Sequence, residues 1–312
     1  MTPPRFTGAE GPTGLLRLSE RGWGYLLAAP SLVLVGLLAL APIMAALWLS
    51  LHRRLPIFGV DEFVGTWNYL QLWSDDRFWA ACRTTLYFTG LSVTAELLLG
   101  FGLALLLDSL TGGRGRSPRW AQVMIILPWA VPTVVSAQIW AWLYQPEYGL
   151  LNYLLLQAGF IDARIDWLAD PDWAIHAAVV MDVWKTTPFA ALLLLAGLKS
   201  VPQDLYAAAR VDGAGAWQRF RRITLPFLMP IVVIVLVFRT MDAVRVFDAV
   251  FVLTGGGPGN TTETLSIYAY KTLFQTLQFG YGSALATAMF AIAAALSSLY
   301  VLLLRRHLRE VL

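Results

Sequence analysis

The segment VPQDLYAAARVDGAGAWQRFRRITLPFLMP, residues 201–230, is polar and basic and lies between two strongly apolar segments. Its first half predicts a short helix, because Pro202 stands at the start and helix-forming residues follow. Gly213 indicates a turn or a helix end. The rest predicts a second helical stretch, ended or kinked at Pro226 and Pro230. The segment is therefore either a basic loop between two membrane spans or a helix presented to a partner.

The composition of the whole chain favours a membrane protein. Of the 312 residues 57% are hydrophobic and 14% are charged, against roughly 25% charged in soluble domains, and the mean hydropathy is +0.61. The single cysteine excludes an internal disulfide. The three histidines, His52, His176 and His307, are far apart in sequence, so we predict no metal site.

Six apolar runs are long enough to cross a bilayer, which takes about 20 residues of helix. Lipid permits only helices or closed barrels, and these runs are too long for barrel strands. We therefore predict an all-α membrane protein with one six-span domain, residues 23–304, between an N-terminal tail, 1–22, and a C-terminal tail, 305–312. The predicted spans are about residues 23–51, 84–107, 120–144, 174–198, 227–253 and 283–304.

The basic residues outside the spans are distributed unequally. The side that holds both termini and the 201–226 loop has 14 lysines and arginines, and the other side has six. The positive-inside rule then places both termini and this loop in the cytoplasm. Because topology accounts for the basic pI of about 9.1, we do not predict nucleic-acid binding.

The predicted fifth span contains four charged residues at a spacing of three: Arg239, Asp242, Arg245 and Asp248. One charge at mid-bilayer costs about 2.5–3.5 kcal/mol, so these side chains must face protein or a water-filled path. They form either a structural ladder of ion pairs or one wall of a polar pathway for a hydroxylated solute. Glu96 stands alone in the second span, where we expect a hydrogen bond between packed helices.

The predicted fourth span offers a second group of polar side chains next to Pro188, where a broken helix would leave a carbonyl free. An aromatic ring, a cation and hydroxyls at such a break suit a sugar-like ligand. Alternatively, Lys185 neutralises Asp182 at i,i+3 and has no ligand. The candidate residues are Asp182, Trp184, Lys185, Thr186 and Thr187.

Motifs for catalysis are missing from the sequence. The glycine-rich segment TGGGPGNTTETLS, residues 254–266, lacks the GxxxxGK[ST] pattern of a phosphate-binding loop, and the chain contains no Gly-Lys pair. It also contains no HExxH and no clear nucleophile–base arrangement. We predict that the chain is not an enzyme, and we interpret this segment as flexible backbone at a translocation mouth.

The opening segment resembles the cytoplasmic EAA loop of permease subunits of binding-protein-dependent ABC importers. The motif stands here as Ala207-Ala208-Ala209, Asp212-Gly213-Ala214 and Ile223-Thr224-Leu225-Pro226, with Ala207 in place of the family's leading glutamate. Residues 184–198, 238–266 and 281–286 are similar to the carbohydrate-importer branch, of the maltose- and trehalose-type.

This resemblance implies a permease in the inner membrane of a prokaryote that forms half of the pathway for a di- or oligosaccharide, with trehalose or maltose favoured. It implies four kinds of partner: a second permease subunit, two ATPase subunits, an extracytoplasmic sugar-binding protein, and membrane lipid. ATP and magnesium would bind to the ATPases, and this chain would bind no cofactor. The residues implied to contact the ATPase are Tyr206, Ala207, Ala208, Ala209, Arg210, Asp212, Gly213, Ala214, Leu225 and Pro226.

Two other functions stay open at this point. The charged fifth span and Glu96 also suit an ion-coupled secondary transporter, which would work without an ATPase and respond to uncouplers. The lack of a visible inverted repeat argues against it. A structural or enzymatic membrane subunit would carry no solute at all.

Overall fold

A computed structural model describes residues 20–110 and 119–311. Predicted features at residues 1–19 and 111–118, which include most of the N-terminal tail, lie outside the described residues. The described part is mainly helical, which confirms the predicted fold class, and its helices and strands are α1 (Glu20–Val35), α2 (Ala41–Ser50), β1 (His52–Leu55), β2 (Val60–Phe63), α3 (Trp67–Trp73), α4 (Asp76–Ser109), α5 (Arg119–Ala130), α6 (Thr133–Leu143), α7 (Leu150–Gln157), α8 (Pro171–Ser200), α9 (Gln203–Val211), α10 (Ala216–Arg219), α11 (Leu225–Val244), α12 (Asp248–Leu253), α13 (Leu265–Tyr270) and α14 (Phe279–Val311).

The chain divides into two compact units, Met1–Trp48 and Leu49–Leu312. In the first, α1 and α2 continue into each other through a π-helical turn, Gly36–Leu40. This wider turn precedes Pro42, whose missing N–H would interrupt a regular α-helix. The resulting candidate span, Trp23–Ser50, has 28 residues and a mean hydropathy of 2.5.

The second unit contains four more helices that are long and apolar enough to cross a membrane: Asp76–Ser109, Pro171–Ser200, Ala216–Val244 and Phe279–Leu302. The predicted third span is instead two helices, α5 and α6, bent by 95°. The described residues therefore hold five candidate spans, or six if the bent pair crosses as one broken span. At the end of the chain, α14 continues to Val311 through most of the predicted C-terminal tail.

The segment between the first two predicted spans, residues 52–83, has regular structure. Strands β1 and β2 pair antiparallel, with His52 opposite Phe63. Helix α4 begins at Asp76, eight residues before the predicted start, because the Asp75 side chain caps it by accepting a hydrogen bond from the Arg77 N–H at 2.9 Å. The apolar pattern locates the span, but the polar cap sets where the helix begins.

Helices α4 and α8 form the centre of the second unit. A Cβ at Gly100 of α4 would lie 3.0 Å from Cβ of Ala190 and 3.1 Å from the backbone nitrogen of Ala191, both on α8 and fully buried. Small residues at this contact let the two backbones approach closely, which is how helices pack where lipid gives no hydrophobic driving force. The charged and hydroxyl side chains of α8 are thereby held against α4.

Two prolines have effects that differ from the predictions. Pro132 breaks the predicted third span, because it has no N–H and disfavours helical geometry at Val131. Helix α8 instead runs unbroken through Pro188, and the Thr186 and Thr187 hydroxyls contact the Asp182 and Val183 carbonyls at 2.6 Å. Both are the usual contacts of threonine hydroxyls with the carbonyls four residues earlier in a helix.

The predicted fifth span begins earlier and ends earlier than expected. Helix α10 continues through a π-helical turn, Phe220–Thr224, into α11, so the helix passes both Pro226 and Pro230. The wider turn accommodates the proline that follows it. Helix α11 ends at Val244, and the predicted continuation to residue 253 is the separate helix α12.

Candidate functional site

A polar cavity of about 210 Å³ lies among the helices of the second unit. Helices α5, α6, α8, α11 and α12 and the linker between α11 and α12 contribute to its wall. Six of the eight residues predicted to line a pathway are in this wall: Asp182, Lys185, Arg239, Asp242, Arg245 and Asp248. The other wall residues are Trp129, Thr133, Thr186, Ala243, Val246, Phe247 and Ala249.

Arg239 is the centre of the charged group. It is 4% exposed and donates two hydrogen bonds to Glu96, from Nε at 2.5 Å and from Nη2 at 2.6 Å. Nη2 also donates to Asp182 at 3.2 Å, and Nη1 donates to Asp242 at 2.7 Å. One guanidinium therefore serves three carboxylates. The predicted hydrogen bond of Glu96 between packed helices is confirmed, and its partner is the cation Arg239, 143 residues away in sequence.

Lys185 donates hydrogen bonds to backbone carbonyls and, within the part of the chain that the structure describes, forms no ion pair with Asp182. Its Nζ donates to the carbonyl of Val131 at 2.8 Å and to that of Trp129 at 3.4 Å. These carbonyls are available because Pro132 breaks the helix there. The predicted pairing of a polar side chain with a broken helix is thus present, but the break is in the neighbouring segment and not at Pro188.

The predicted charge ladder exists only in part. Asp242 pairs with Arg239 at 2.7 Å and with Arg245 at 3.7 Å, both at a spacing of three. Because α11 ends at Val244, Asp248 stands at the start of α12 and does not continue a helical ladder. All four side chains still reach the same cavity, since the linker turns the chain around it.

Two predicted pathway residues lie away from the cavity wall. The Trp184 ring packs edge-on against Trp140 at a centroid distance of 5.7 Å and is 38% exposed. The Thr187 hydroxyl is buried and donates to the Val183 carbonyl. Residues 184 and 187 are next to cavity residues in sequence, but on a helix they point to other sides.

Several residues of the site were not predicted from the sequence. Trp129 and Thr133 flank the break at Pro132, and the two prolines of that segment were the available signal. Thr186 was named only as part of a polar cluster, and it contacts both Glu96 and the Asp182 carbonyl. Phe247 lies in the linker that was predicted as helix. Within residues 20–110 and 119–311, no group of three or more His, Cys, Asp or Glu side chains is arranged to hold a metal ion.

The segment predicted to contact an ATPase has a helix that ends in a Schellman motif. Helix α9 ends at Val211, and Gly213 has φ of +76°, the left-handed conformation that favours glycine. The Ala214 N–H donates to the Ala209 carbonyl at 2.8 Å, and the Gly213 N–H donates to the Arg210 carbonyl at 3.1 Å. The backbone therefore fixes where this short helix stops and where the next begins.

Side-chain contacts tie α9 to the helix that follows. The Tyr206 hydroxyl lies 2.8 Å from the Thr224 hydroxyl, and Arg219 donates to the Ala214 carbonyl at 2.6 Å. Leu225 and Pro226 begin α11 and are half-buried. Ala207, Ala208, Arg210 and Asp212 are exposed, as are the apolar side chains of Leu205, Val211 and Trp217.

The glycine-rich segment at residues 254–266 is more firmly held than predicted. Glu263 is 2% exposed and accepts hydrogen bonds from Arg77 Nε at 2.7 Å and Nη2 at 2.8 Å, and from Lys271 at 2.8 Å. Burial alone would raise the pKa of this carboxyl, but the two cations hold it below its ordinary value. We call Glu263, Arg77 and Lys271 the loop clamp.

The neighbouring Asp75 extends the same polar contacts. Its carboxylate accepts hydrogen bonds from the Tyr268 hydroxyl at 2.6 Å and the Tyr281 hydroxyl at 2.5 Å. Burial acts to raise the pKa of Asp75, and these hydrogen bonds outweigh it and lower the pKa. The glycine-rich segment was interpreted as flexible because its anchors lie far away in sequence.

Comparison with known proteins assigns the chain to a family. Residues 96–309, more than half of the chain, match the family described as binding-protein-dependent transport system inner membrane component. The chain belongs to this family. It is therefore a permease, a component of a transport system and not an enzyme.

Two similar proteins and one solved structure extend this result. The trehalose/maltose transport system permease protein of Thermococcus litoralis is 41% identical over 93% of this chain and 96% of its own length. The sulfoquinovosyl glycerol transport system permease protein of Agrobacterium fabrum is 38% identical over 94% of each chain. A bacterial alginate ABC transporter, solved with its alginate pentasaccharide-bound periplasmic protein, contains a chain with TM-score 0.76 and 23% identity, covering 92% of this chain and 96% of its own, which shows a shared fold.

Proposed function

We propose that this chain is a permease subunit of an ATP-driven sugar importer and that it forms half of the pathway for a di- or oligosaccharide, with trehalose or maltose favoured. The observation that carries the proposal is the 41% identity, over nearly the whole chain, to a permease named for trehalose and maltose transport. The polar cavity supports it, because its carboxylates, carbonyls and hydroxyl are suited to a polyhydroxylated solute.

The size of the cavity supports a pathway shared with a second subunit. Small-molecule sites usually measure about 300–1,000 Å³, whereas this polar cavity measures about 210 Å³. Trp129, in its wall, is 47% exposed and provides an aromatic face next to the polar groups. A second permease facing this wall would complete the enclosure and exclude lipid from the charged residues.

The segment at residues 201–226 supports contact with a cytoplasmic ATPase. Val211 is 88% exposed and Trp217 is 69% exposed, which leaves apolar surface for a protein partner on a segment rich in arginine. The Schellman motif at Gly213 and the Tyr206–Thr224 contact make α9 and the following helix one unit, so a push on α9 is transmitted to α11, which carries Arg239. In this arrangement Ala207 contributes by shape and not by charge.

The wider assembly follows from the same proposal. It has a second permease, two ATPase subunits that hold ATP and magnesium, and an extracytoplasmic sugar-binding protein, while this chain binds no cofactor itself. Both termini and the 201–226 segment face the cytoplasm, by the distribution of basic residues. Six spans require that α5 and α6 cross as one broken span.

The test is reconstitution of the complete complex with its binding protein. Purification of the tagged chain in a mild detergent should recover a second permease and two ATPase subunits, and trehalose or maltose should stimulate ATP hydrolysis. Uptake that proceeds without ATP and collapses with an uncoupler would contradict the ATP-driven mechanism. Stimulation only by solutes other than sugars would contradict the substrate class.

A second experiment tests the coupling segment. Gly213→Pro forces φ to about −65° where the backbone needs +76° and removes the N–H that donates to Arg210, so we expect normal insertion but loss of sugar-stimulated ATP hydrolysis. The matched control is Gly215→Ala, since Gly215 has φ of −66° and a Cβ there meets nothing within 4 Å. Full activity of the Gly213→Pro complex would contradict the coupling role.

A further inference from the structure

Glu96 influences the cavity without lining it. It is 1% exposed on α4, and it contacts two residues of the cavity wall, Arg239 and Thr186. The two parallel hydrogen bonds from Arg239 are the geometry of an ionised carboxylate with a guanidinium. Glu96 thus lies directly behind the wall, as a counter-ion to a wall residue.

The contacts of Arg239 leave it little capacity for a ligand. A guanidinium has five N–H donors, and four are used, two on Glu96 and one each on Asp182 and Asp242. Without Glu96, two of these donors would be free next to the cavity. Glu96 therefore neutralises Arg239, the central cation of the wall, and occupies the donors that could otherwise bind an anionic ligand.

The carboxylates of the wall keep free acceptor sites. Two of the three N–H donors of Lys185 bind backbone carbonyls of the broken helix. Asp182 and Asp242 each accept one hydrogen bond from Arg239, and each ionised carboxylate has about four acceptor sites. Asp182 and Asp242 therefore keep acceptor sites next to the cavity, which suit a ligand that approaches with hydroxyl hydrogens. Arg245, also in the wall, is 60% exposed and lies 3.7 Å from Asp242.

The charge balance points in the same direction. The wall itself has three cations and three carboxylates, and Glu96 behind it is a fourth carboxylate, which makes the whole group net negative. The side chains of Arg239 and Glu96 are 5% and 1% exposed, and next to such a buried pair one unit charge has a large effect on whether an ionic ligand binds. The seven residues are Lys185, Arg239, Arg245, Asp182, Asp242, Asp248 and Glu96.

We propose that Glu96 is a specificity-determining residue, which makes the pathway prefer neutral sugars and exclude anionic ones by occupying Arg239. The proposal rests on the proposed function, since it assumes that the cavity is part of a sugar pathway. A purely structural tie among α4, α8 and α11 predicts something different, because its loss would weaken every ligand to the same extent.

The experiment compares two sugars of nearly equal shape on the purified complex without its binding protein. The probes are trehalose and its analogue in which one C6 hydroxymethyl group is oxidised to a carboxylate. The measurement is the dissociation constant of each probe, by calorimetry, and the readout is their ratio. For Glu96→Gln we expect the preference for trehalose to fall by about tenfold, the order of effect of one unit charge at a partly shielded site, while Glu96→Asp retains the preference.

A charge-matched double variant guards against a folding defect. Glu96→Gln with Arg239→Gln removes one negative and one positive charge, so it keeps the net charge of the wild-type group, and we expect the wild-type preference for trehalose. If Glu96→Gln does not assemble, a shift of the double variant toward the anionic sugar would overturn the proposal. An equal loss of affinity for both probes in Glu96→Gln would overturn it as well.

The outcomes also separate this proposal from the proposed function. If the wild-type complex binds neither probe, and no other sugar stimulates its ATP hydrolysis, the sugar pathway itself is wrong. If it binds trehalose and the ratio does not change in Glu96→Gln, the pathway stands and the role of Glu96 is wrong.

Discussion

Two buried glutamates, Glu96 and Glu263, each receive a bidentate arginine, but the charges around them are arranged in opposite ways. At the cavity a single cation, Arg239, is shared by the carboxylates of Glu96, Asp182 and Asp242, and we call these four residues the cavity group. In the loop clamp a single carboxylate, Glu263, is shared by two cations, Arg77 and Lys271. Among the described residues, Glu96 is therefore paired with one cation, whereas Glu263 is paired with two, so that one can be lost while the other stays.

The surroundings of the two groups differ as well. The side chain of Arg239 is 5% exposed, and that of Arg77 is 44% exposed, so water can replace a lost partner only in the loop clamp. The cavity group lines a space that a solute can enter, whereas the loop clamp holds the glycine-rich segment against α4. A shared bidentate pair therefore serves two purposes here, and the variants below separate them.

The largest effect is expected for Arg239→Met. Removal of the shared cation leaves the buried carboxylates of Glu96 and Asp182 without their counter-ion, and loss of one partner of a buried ion pair costs about 3–5 kcal/mol. We expect a large fall in the amount of folded permease, measured by gel filtration in detergent after heating. The double variant with Glu96→Gln should recover part of the loss, and equal damage in both would contradict the shared-cation arrangement.

A smaller effect is expected for Glu263→Gln in the loop clamp. The amide still accepts one hydrogen bond, but the charge that holds two cations is lost, which costs about 1.5–3 kcal/mol. Limited proteolysis should then cut within residues 254–264, while the ratio of neutral to anionic sugar affinity stays unchanged. The matched control is the exposed Glu62→Gln, and cleavage that also appears there would remove the distinction.

Much of this molecule could be predicted from local patterns. Apolar runs gave the spans, and the Ala-Gly-Pro spacing around Gly213 gave the coupling segment, because both signals lie within about 30 residues of sequence. Helix ends were less predictable. Because Asp75 caps α4, this helix begins eight residues before the predicted start. Because α11 ends at Val244, Asp248 is not part of the predicted ladder. Caps and tertiary contacts override apolar periodicity at the ends of helices.

The contents of the site depended on contacts that no local pattern contains. Glu96 and Arg239 are 143 residues apart, so each was recognisable as polar but not as the partner of the other. Pro132 and Pro188 are the same signal in the sequence, yet of these two only Pro132 breaks its helix. The helix with Pro188, α8, is packed tightly against α4. The prediction of a polar wall was therefore possible, but not its charge balance.

A change of pH should act on the loop clamp in one direction. The pKa of Glu263 in the folded chain is below the ordinary 4.5, so its contribution to stability is complete above about that pH and is lost as the pH falls through the lowered value. We expect the difference in melting temperature between wild type and Glu263→Gln to be constant from pH 7 to 5 and to shrink below it. A difference that grows on acidification would contradict the ion pairing of Glu263.

The smallest effect is expected for Lys271→Met, and it tests the idea of a spare cation directly. Arg77 keeps both of its hydrogen bonds to Glu263, so only one contact is lost, at a cost of about 0.5–1.5 kcal/mol. The melting temperature should fall less than in Glu263→Gln, and Lys271→Arg should behave as wild type. If Lys271→Met lowers the melting temperature as much as Glu263→Gln does, Arg77 alone cannot hold Glu263. The loop clamp would then resemble the cavity group, in which the loss of one cation breaks the whole arrangement.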